Sequence, residues 1–349
     1  VNYCLDKPMT FNKCLTQIAV AAVLGIALII QTAQADIADR SDVQDFIDDM
    51  VKSHDFDRDE LIKLFRKVSI KQSIIDAITR PAEAKPWYEY RPIFLTKSRI
   101  KDGVAFWKKH AKDLKRAEEE YGVPPEIIIS IIGVESLYGK YKGKYRVLES
   151  LATLAFNYPK RSKFFRSELQ EFLLMAREEE RDALTVMGSY AGAMGKPQFI
   201  ASSFRQYAVD FDKDGKRDLW DSTTDVIGSV ANYFSRHHWK RGAPITSPAS
   251  VTGKQYKSVV KKGIKPRSTI AELATKGITP KKDLPKNEKA ALIELELKKG
   301  VEHWLGLTNF YVITRYNHSE LYAMAVYQLS EEIAKLHSAK ASLTKDKAV

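Results

Sequence analysis

The sequence contains very little cysteine. Its 349 residues include two cysteines, Cys4 and Cys14, and both precede a short apolar run near the N terminus. The chain beyond Cys14 therefore offers no thiol nucleophile and no disulfide, which excludes cysteine-based catalysis and a disulfide-stabilised fold. A chain of this length can bury a core large enough to fold without cross-links.

Several catalytic motifs are also missing. The sequence has no G-x-S-x-G nucleophile turn, no phosphate-binding loop and no G-x-G-x-x-G fingerprint. It has no H-E-x-x-H zinc motif, and the neighbours His237 and His238 would point to different faces of a helix. These absences exclude the serine hydrolases, nucleotide-binding enzymes and zinc peptidases that such motifs define.

Acidic residues are fewer than basic ones. The formal net charge is +12 and the isoelectric point is near 9.3, which indicates an anionic partner. Nucleic acid, a membrane surface and an anionic cell-wall polymer are all compatible with this charge. The 44% of hydrophobic and 29% of charged residues are typical of a folded protein and exclude a disordered one.

Long hydrophobic runs are absent apart from residues 18–30. This run follows a short basic segment and precedes the small-x-small sequence Ala33-Gln34-Ala35, which predicts a cleaved signal peptide over residues 1–35. An uncleaved membrane anchor is the alternative. No cysteine follows the run as a lipid-anchor site. We therefore expect a protein of the Gram-negative periplasm, with no nucleic acid as partner.

Periodicity predicts a mainly α-helical (α+β) protein. Apolar residues at helical spacing indicate helices over residues 42–80, 100–121, 145–157, 161–179, 197–209 and 322–336, with a Pro-containing connector over 80–92. β-favouring runs divided by Gly and Pro predict a small insertion at 243–298. We predict an N-terminal helical domain (36–120), a core (121–242 and 299–337) and a flexible tail (338–349).

Glu135 stands out in the apolar helical run that begins at Pro125. Ile132, Ile131 and Ile128 precede it by three, four and seven residues, so its carboxylate lies on the apolar face of the helix. A carboxylate that loses hydration has a raised pKa, as a general acid near neutral pH requires. From this pattern alone, a general acid and a buried carboxylate paired with Arg or Lys are equally compatible.

Residues 210–221 match the loop of an EF-hand calcium site. The predicted ligands are four side chains and one backbone carbonyl: Asp210, Asp212, Asp214, Asp221 and, through its carbonyl, Lys216. Asp221 replaces the longer Glu of the pattern, and Arg217 occupies a position that is usually apolar. Turns rich in Asp and Gly also occur without metal, but five carboxylates in twelve residues repel one another unless a cation is bound. We predict a structural Ca²⁺ and no cofactor for chemistry.

Several segments, taken in order, carry a family resemblance. They are Gly133-Val134-Glu135-Ser136, the glycine-rich segment 188–199, the EF-hand-like loop, residues 227–234, and Thr314-Arg315-Tyr316-Asn317 with the residues that follow. Over roughly residues 40–330, the sequence resembles the membrane-bound lytic murein transglycosylase B family. Lys196-Pro197 and Ile200-Ala201 depart from the pairs usual in that family.

The resemblance implies a lysozyme-like helical core, an N-terminal helical domain and an inserted β domain. It also implies cleavage of the β-1,4 bond between N-acetylmuramic acid and N-acetylglucosamine in peptidoglycan, with a 1,6-anhydromuramyl product. The catalytic glutamate of the family falls on Glu135, which would act first as acid and then as base. The glycan-contacting positions fall on Ser189, Gln198, Tyr233, Tyr316, Asn317 and Tyr322.

Other interpretations remain compatible with the sequence. A hydrolytic muramidase would share the fold and Glu135, and a non-enzymatic peptidoglycan-binding protein would use Glu135 only structurally. A Ca²⁺-responsive scaffold would change its affinity for a partner with Ca²⁺. Each tyrosine named above could instead be a core residue with a satisfied hydroxyl. For the enzyme, we expect glycan strands of peptidoglycan as partner, a monomer, and proximity to the outer or inner membrane.

Overall fold

Helices dominate the computed structural model, which describes residues 36–80 and 85–345. After a 3₁₀ turn at Ile37–Asp39, six helices precede the segment that carries Glu135: α1 (Ser41–His54), α2 (Arg58–Phe65), α3 (Gln72–Ile78), α4 (Trp87–Phe94), α5 (Lys97–Lys109) and α6 (Ala111–Tyr121). The predicted connector over 80–92 is wrong from Trp87 onward. Burial of Trp87 and Tyr90 keeps α4 helical through Pro92.

The helix that carries Glu135 is α7 (Pro125–Ser136), and it lies at the centre of the helical part. Pro125 occupies its first turn, where a missing amide proton costs nothing. The isoleucines at 127–129, 131 and 132 are fully buried, so α7 is apolar on nearly every side and needs neighbours all round. Those neighbours are α5, α6, α11 (Thr223–Arg236) and α15 (Glu320–Lys345).

Four more helices and a pair of two-residue strands complete the helical part. They are α8 (Val147–Asn157), α9 (Ser162–Glu178), α10 (Ala201–Tyr207) and α14 (Thr308–Tyr316), with a 3₁₀ turn at Pro159–Arg161. Strands β1 (Tyr145–Arg146) and β2 (Met187–Gly188) pair antiparallel. Helices α8 and α9 confirm the predictions for 145–157 and 161–179, whereas α10 is shorter than the predicted 197–209.

The insertion is a five-stranded antiparallel sheet with strand order β4-β6-β7-β3-β5. Its elements are β3 (Thr246–Val251), α12 (Tyr256–Val260), β4 (Ser268–Thr269), α13 (Ile270–Ala274), β5 (Ile278–Pro280), β6 (Lys289–Glu296) and β7 (Val301–Gly306). Alternate β6 residues face opposite cores: Ile293 and Leu295 face the helices, and Leu292 faces a separate small core beneath α12 and α13. The sheet extends past the predicted end at 298, because β7 pairs with β6 from Ala291 to Glu296.

The helices before and after α7 share one hydrophobic core. Phe46 and Phe65 of the first two helices pack in the same core as α7 and α15, and the chain from Ile37 onward forms one compact unit. Within the described residues, no separate core marks the predicted boundary at 120. Helix α15 continues to Lys345 and so enters the predicted tail (338–349), whose flexibility stays a prediction.

The predicted signal peptide, residues 1–35, lies outside the part of the chain that the structure describes, as do residues 346–349. Among the helices within the described ranges, none is both long enough and apolar enough to span a bilayer.

Candidate active site

A tight turn ends α7 directly after Glu135. Leu137, Tyr138 and Gly139 all have positive φ, at 50°, 60° and 87°, a conformation that non-glycine residues rarely adopt. The Ser136 hydroxyl holds this turn, because it donates to the Ile132 carbonyl (3.2 Å) and accepts the Gly139 amide (2.9 Å). Glu135 therefore projects from the last turn of a central, rigid helix.

Gly133 and Tyr138 lock this turn onto the core. The Tyr138 hydroxyl donates to the Arg99 carbonyl at 2.8 Å, and its ring lies directly against Gly133. A Cβ at position 133 would lie 2.7 Å from the Tyr138 ring, too close for any side chain. A glycine within an apolar helix is the sequence signal that could have revealed this close contact.

Glu135 combines an apolar surrounding with one polar partner. Loss of hydration in the core raises its pKa to about 7, while the hydrogen bond from Tyr322 favours the carboxylate and lowers it. Part of the residue remains exposed to solvent. Among the described residues, no Arg or Lys forms an ion pair with Glu135, and no second carboxylate contributes to its pKa shift. The predicted direction of the pKa shift is confirmed, and the structural salt bridge finds no support.

Tyr322 holds the carboxylate of Glu135 in place. Its hydroxyl donates to Glu135 Oε1 at 2.5 Å, and the side chain is buried in the first turn of α15. The Ser319 hydroxyl caps this turn by accepting the Tyr322 amide at 3.3 Å. Burial, together with the charge of Glu135, raises the Tyr322 pKa well above its usual value, so its hydroxyl stays protonated and remains a donor.

Tyr316 and Tyr233 form an aromatic wall next to this pair. Burial and the Glu135 charge raise the Tyr316 pKa well above its usual value, and its ring centroid lies 4.8 Å from that of Tyr233. Both hydroxyls are already engaged: Tyr316 donates to the Pro197 carbonyl at 2.5 Å and Tyr233 to the Arg315 carbonyl at 2.6 Å. Tyr233 is buried and Tyr316 is half-buried, so with satisfied hydroxyls both have the contacts of core residues, and their contact with a ligand stays a prediction.

The other predicted glycan-contacting residues lie on loops. Gln198 has a φ of 52°, and its side-chain amide donates to the Gly195 carbonyl at 2.9 Å. The Ser189 hydroxyl accepts the amides of Ala191 and Ala193. Asn317 follows α14 in extended conformation. Within residues 36–80 and 85–345, no hydrogen bond joins Ser189, Gln198 or Asn317 to Glu135, so their role stays a prediction.

The structure adds aromatic residues to those predicted from the sequence. Phe199 packs against Tyr233 and Tyr316, with ring centroids 5.7 and 5.8 Å away. The rings of Tyr141, after the α7 turn, and Tyr190, in the glycine-rich segment, are exposed. Exposed aromatic rings on a scaffold of this kind suit contact with flat, amphipathic ligands such as sugars. Sequence alone could not separate these tyrosines from core residues.

The EF-hand-like loop brings three of its predicted ligands together. Carboxylate oxygens of Asp210, Asp212 and Asp214 all lie within 4.8 Å of one another, which fits a hard cation that prefers oxygen ligands, such as Ca²⁺. Asp221 is not part of this cluster, and its carboxylate pairs with Lys142 at 3.1 Å. The Lys216 amide donates to Asp214 Oδ1 at 2.9 Å, which fixes the loop where its carbonyl would be needed.

Asp225, which sequence reasoning missed, fastens this loop to α11. The residue is fully buried, and its carboxylate accepts the backbone amides of Phe211, Asp212 and Asp218 at 2.8, 3.2 and 2.8 Å. Asp225 could have been found from the helix-capping sequence Ser222-x-x-Asp225 at the start of α11, where Ser222 caps the helix.

The loop also supports the glycine-rich segment beside the tyrosines. The Lys196 ammonium donates to the Asp221 carbonyl at 2.8 Å and to the Thr223 hydroxyl at 2.9 Å. A Cβ at Gly195 would lie 2.6 Å from the Leu219 carbonyl oxygen, so the two backbones touch. The loop thereby positions Pro197, whose carbonyl accepts the Tyr316 hydroxyl.

A mainly helical fold around a central helix that ends in one carboxylate of raised pKa defines a lysozyme-like glycan-cleaving enzyme. The family model described as the transglycosylase SLT domain matches residues 38–331. The chain belongs to this family, and it is a lytic transglycosylase.

Known relatives are similar to this chain in sequence and in structure over most of its length. The membrane-bound lytic murein transglycosylase B of Escherichia coli is 44% identical over 86% of this chain and 84% of its own length. The crystal structure of the lytic transglycosylase SltB1 from Pseudomonas aeruginosa, in catenated form, superimposes with a TM-score of 0.83 and 52% identity, covering 86% of this chain and 100% of that one.

Two further structures contain ligands. The E. coli lytic transglycosylase Slt35 in complex with calcium has a TM-score of 0.80 and 44% identity, covering 87% of this chain and 96% of that one. SltB3 from P. aeruginosa, in complex with NAG-anhNAM-pentapeptide, has a TM-score of 0.73 and 31% identity, covering 83% of this chain and 78% of that one. Relatives of this chain thus bind calcium and peptidoglycan fragments.

Proposed function

We propose that this enzyme cleaves the β-1,4 bond between N-acetylmuramic acid and N-acetylglucosamine in peptidoglycan and forms a 1,6-anhydromuramyl product. The observation that carries this proposal is the state of Glu135. It is one carboxyl with a pKa near 7, held by Tyr322, and no second carboxylate among the described residues contributes to its pKa shift. Glycosidases that use a protein nucleophile or a base for water need a second carboxylate.

In the first step, protonated Glu135 donates its proton to the glycosidic oxygen. The bond from that oxygen to C1 of muramic acid breaks, and N-acetylglucosamine leaves with a free hydroxyl. The N-acetyl carbonyl of muramic acid stabilises the positive charge at C1, which is the substrate assistance known as an exception to the two-carboxylate rule. Tyr322 stabilises the carboxylate that Glu135 has become.

In the second step, Glu135 acts as base. Its carboxylate accepts the proton of the C6 hydroxyl while the C6 oxygen bonds to C1 and closes the 1,6-anhydro ring. Glu135 is then protonated again, and no water is consumed. One residue can serve both roles because its pKa lies near the pH at which it works.

Residues around Glu135 would bind the glycan. We assign substrate contacts to Ser189, Gln198, Tyr233, Tyr316, Asn317 and Tyr322, with Ser189 orienting the N-acetyl group. Tyr316 is half-buried, which leaves part of its ring for a sugar contact, and Tyr322 is in addition a positioning residue for Glu135. The SltB3 complex, with a NAG-anhNAM-pentapeptide bound, supports this class of ligand. We place the enzyme in the cell envelope, as the E. coli relative's description as membrane-bound suggests.

The pH dependence follows from the direction of the Glu135 pKa shift. The active form carries the proton, and burial raises the pKa to about 7, so the protonated fraction is high below pH 7 and falls above it. We expect kcat/KM to decline about tenfold per pH unit well above 7. Initial rates of release of soluble fragments, measured at low substrate from pH 5 to 9, check this. A rate that rises through pH 7 to a plateau at pH 9 would contradict it.

We propose that Asp210, Asp212, Asp214 and the Lys216 carbonyl hold a structural Ca²⁺. The ion would neutralise the three clustered carboxylates and stiffen the loop that supports the glycine-rich segment. Ca²⁺ at about a hundred times its dissociation constant should raise the Tm by roughly 4 °C, because it binds only the folded state.

Thermal unfolding with Ca²⁺ or with EGTA measures this effect. The double variant Asp210→Asn/Asp212→Asn should lose the shift, since it removes two negative ligands. Asp59→Asn, which changes an exposed carboxylate on α2, should keep it. An equal Ca²⁺-dependent shift in the double variant would rule out this site.

A further inference from the structure

We propose that residues 254–267, on the outer side of the inserted sheet, bind the carboxylates of peptidoglycan stem peptides away from the reacting bond. We call this stretch the basic segment. The proposal rests on peptidoglycan being the substrate, as proposed above, but not on any role of Glu135.

Charge is concentrated in the insertion. Residues 243–306 contain thirteen Lys or Arg residues and six Asp or Glu residues, so they carry +7 of the chain's formal +12. The basic segment itself has six cations and no Asp or Glu: Lys254, Lys257, Lys261, Lys262, Lys265 and Arg267. Six positive charges and no negative one over fourteen residues attract polyanions.

All six cations are exposed, and within the described part of the chain none of them forms an ion pair. In contrast, Arg205 and Arg217 of the helical part are each paired with two glutamates. The charges of the basic segment are therefore not used to hold the fold together and are available to a partner.

The apolar side of the basic segment fixes its orientation. Val259 of α12 is buried in the small core of the sheet together with Leu273 and Leu292, so α12 lies flat on the outer face of the sheet. Lys257 and Lys261 are one helical turn apart and point the same way, about 6 Å along the axis. The cations thus form a fixed row on a rigid support.

The chemistry of this surface favours a polymer with regular carboxylates over a bilayer. The large apolar side chains of the basic segment, Tyr256, Val259, Val260 and Ile264, are buried or half-buried, so none of them is free to insert among lipid chains as an interfacial anchor does. Peptides on a glycan strand present carboxylates at regular intervals. The insertion follows α11 and precedes α14, the helices that carry Tyr233 and Tyr316.

The test measures binding to murein apart from cleavage. In the Glu135→Gln background, we compare the chain with Lys254, Lys257, Lys261 and Lys265 changed to Gln against a matched control with Lys52, Lys63, Lys67 and Lys112 changed to Gln. The control lysines are exposed and form no ion pair among the described residues, and both variants lose four charges. Co-sedimentation with purified sacculi at low salt gives the bound fraction, and unchanged Tm values show intact folding.

We expect the basic-segment variant to bind sacculi about tenfold or more weakly than the control, and the difference should shrink at high salt. Amidase digestion removes the peptides and leaves soluble glycan strands with one lactyl carboxylate per disaccharide, and the difference between the two variants should be much smaller on these strands, measured by fluorescence anisotropy. Equal binding of the two variants to intact sacculi would overturn the proposal. So would a difference of undiminished size on the peptide-free strands, or one seen with vesicles of anionic phospholipid and not with sacculi.

The proposed function is tested separately. With Glu135 intact, the basic-segment variant should cleave short soluble glycan fragments at the parental rate, because the basic segment contains none of the residues assigned to the cleft. A failure of the proposed function would appear as activity in Glu135→Gln, whereas a failure of this inference would appear only in the binding comparison.

Discussion

Glu135→Gln should reduce the release of soluble muropeptides from purified murein by about 10³-fold or more. The amide keeps the shape of the side chain and can still accept the Tyr322 hydroxyl, but it has no proton to donate to the glycosidic oxygen. It also cannot take the proton of the C6 hydroxyl, so both steps fail. The measurement is the initial rate at pH 6, where the parental carboxyl is largely protonated because its pKa is about 7.

Glu126→Gln is the matched control for this experiment. Glu126 lies at the other end of the same helix and also has a pKa raised by burial, but it makes no hydrogen bond to Tyr322 and is not part of the aromatic wall of Tyr316 and Tyr233. We expect this variant to retain the parental rate. A Glu135→Gln chain that matched the parent, with Glu126→Gln also unaffected, would show that the acid is another residue.

Tyr322→Phe should lower activity by roughly tenfold or more and shift the pH profile to higher pH. The hydroxyl donates to Glu135 Oε1 at 2.5 Å, which stabilises the carboxylate and holds its orientation. Without it, burial acts unopposed, and the Glu135 pKa rises further above its present value. The protonated form then persists to higher pH, but the carboxylate formed in the first step is less stable, so kcat falls. The measurements are kcat and the pH at which kcat/KM is half-maximal.

Tyr327→Phe provides the comparison for Tyr322→Phe. Tyr327 is buried on the same helix, and its hydroxyl lies near Lys282 at 3.5 Å and not near Glu135. Its removal should leave the pH profile unchanged. If Tyr322→Phe lowered kcat with no movement of the profile, Tyr322 would act on the substrate or on folding and not through Glu135.

Local sequence was sufficient to predict the apolar surroundings of Glu135 and the direction of its pKa shift. Helical spacing placed it on the face of Ile128, Ile131 and Ile132, and burial of these residues gives the raised pKa that the pattern suggested. Its partner could not be predicted in the same way. Tyr322 lies 187 residues further along the chain, and only the packing of α15 on α7 brings the hydroxyl to the carboxylate.

The calcium loop shows the same division between local and tertiary information. Spacing within twelve residues predicted the cluster of Asp210, Asp212 and Asp214, because adjacent loop positions are fixed by local geometry. The carboxylate of Asp221 pairs instead with Lys142 from a distant segment, a contact that spacing within the loop cannot predict. In the insertion, turn and strand signals located the sheet, but the pairing of β7 with β6, a tertiary feature, set its end at Gly306.

The mass of the products released from murein shows whether the C6 hydroxyl of muramic acid or a water molecule attacks C1. We expect muropeptides that end in 1,6-anhydromuramic acid, lighter by one water than the corresponding hydrolysis products, and no incorporation of ¹⁸O when the digestion is carried out in H₂¹⁸O. Products with a reducing N-acetylmuramic acid carrying ¹⁸O would contradict it, because they would show that water, and not the C6 hydroxyl of the substrate, attacks C1.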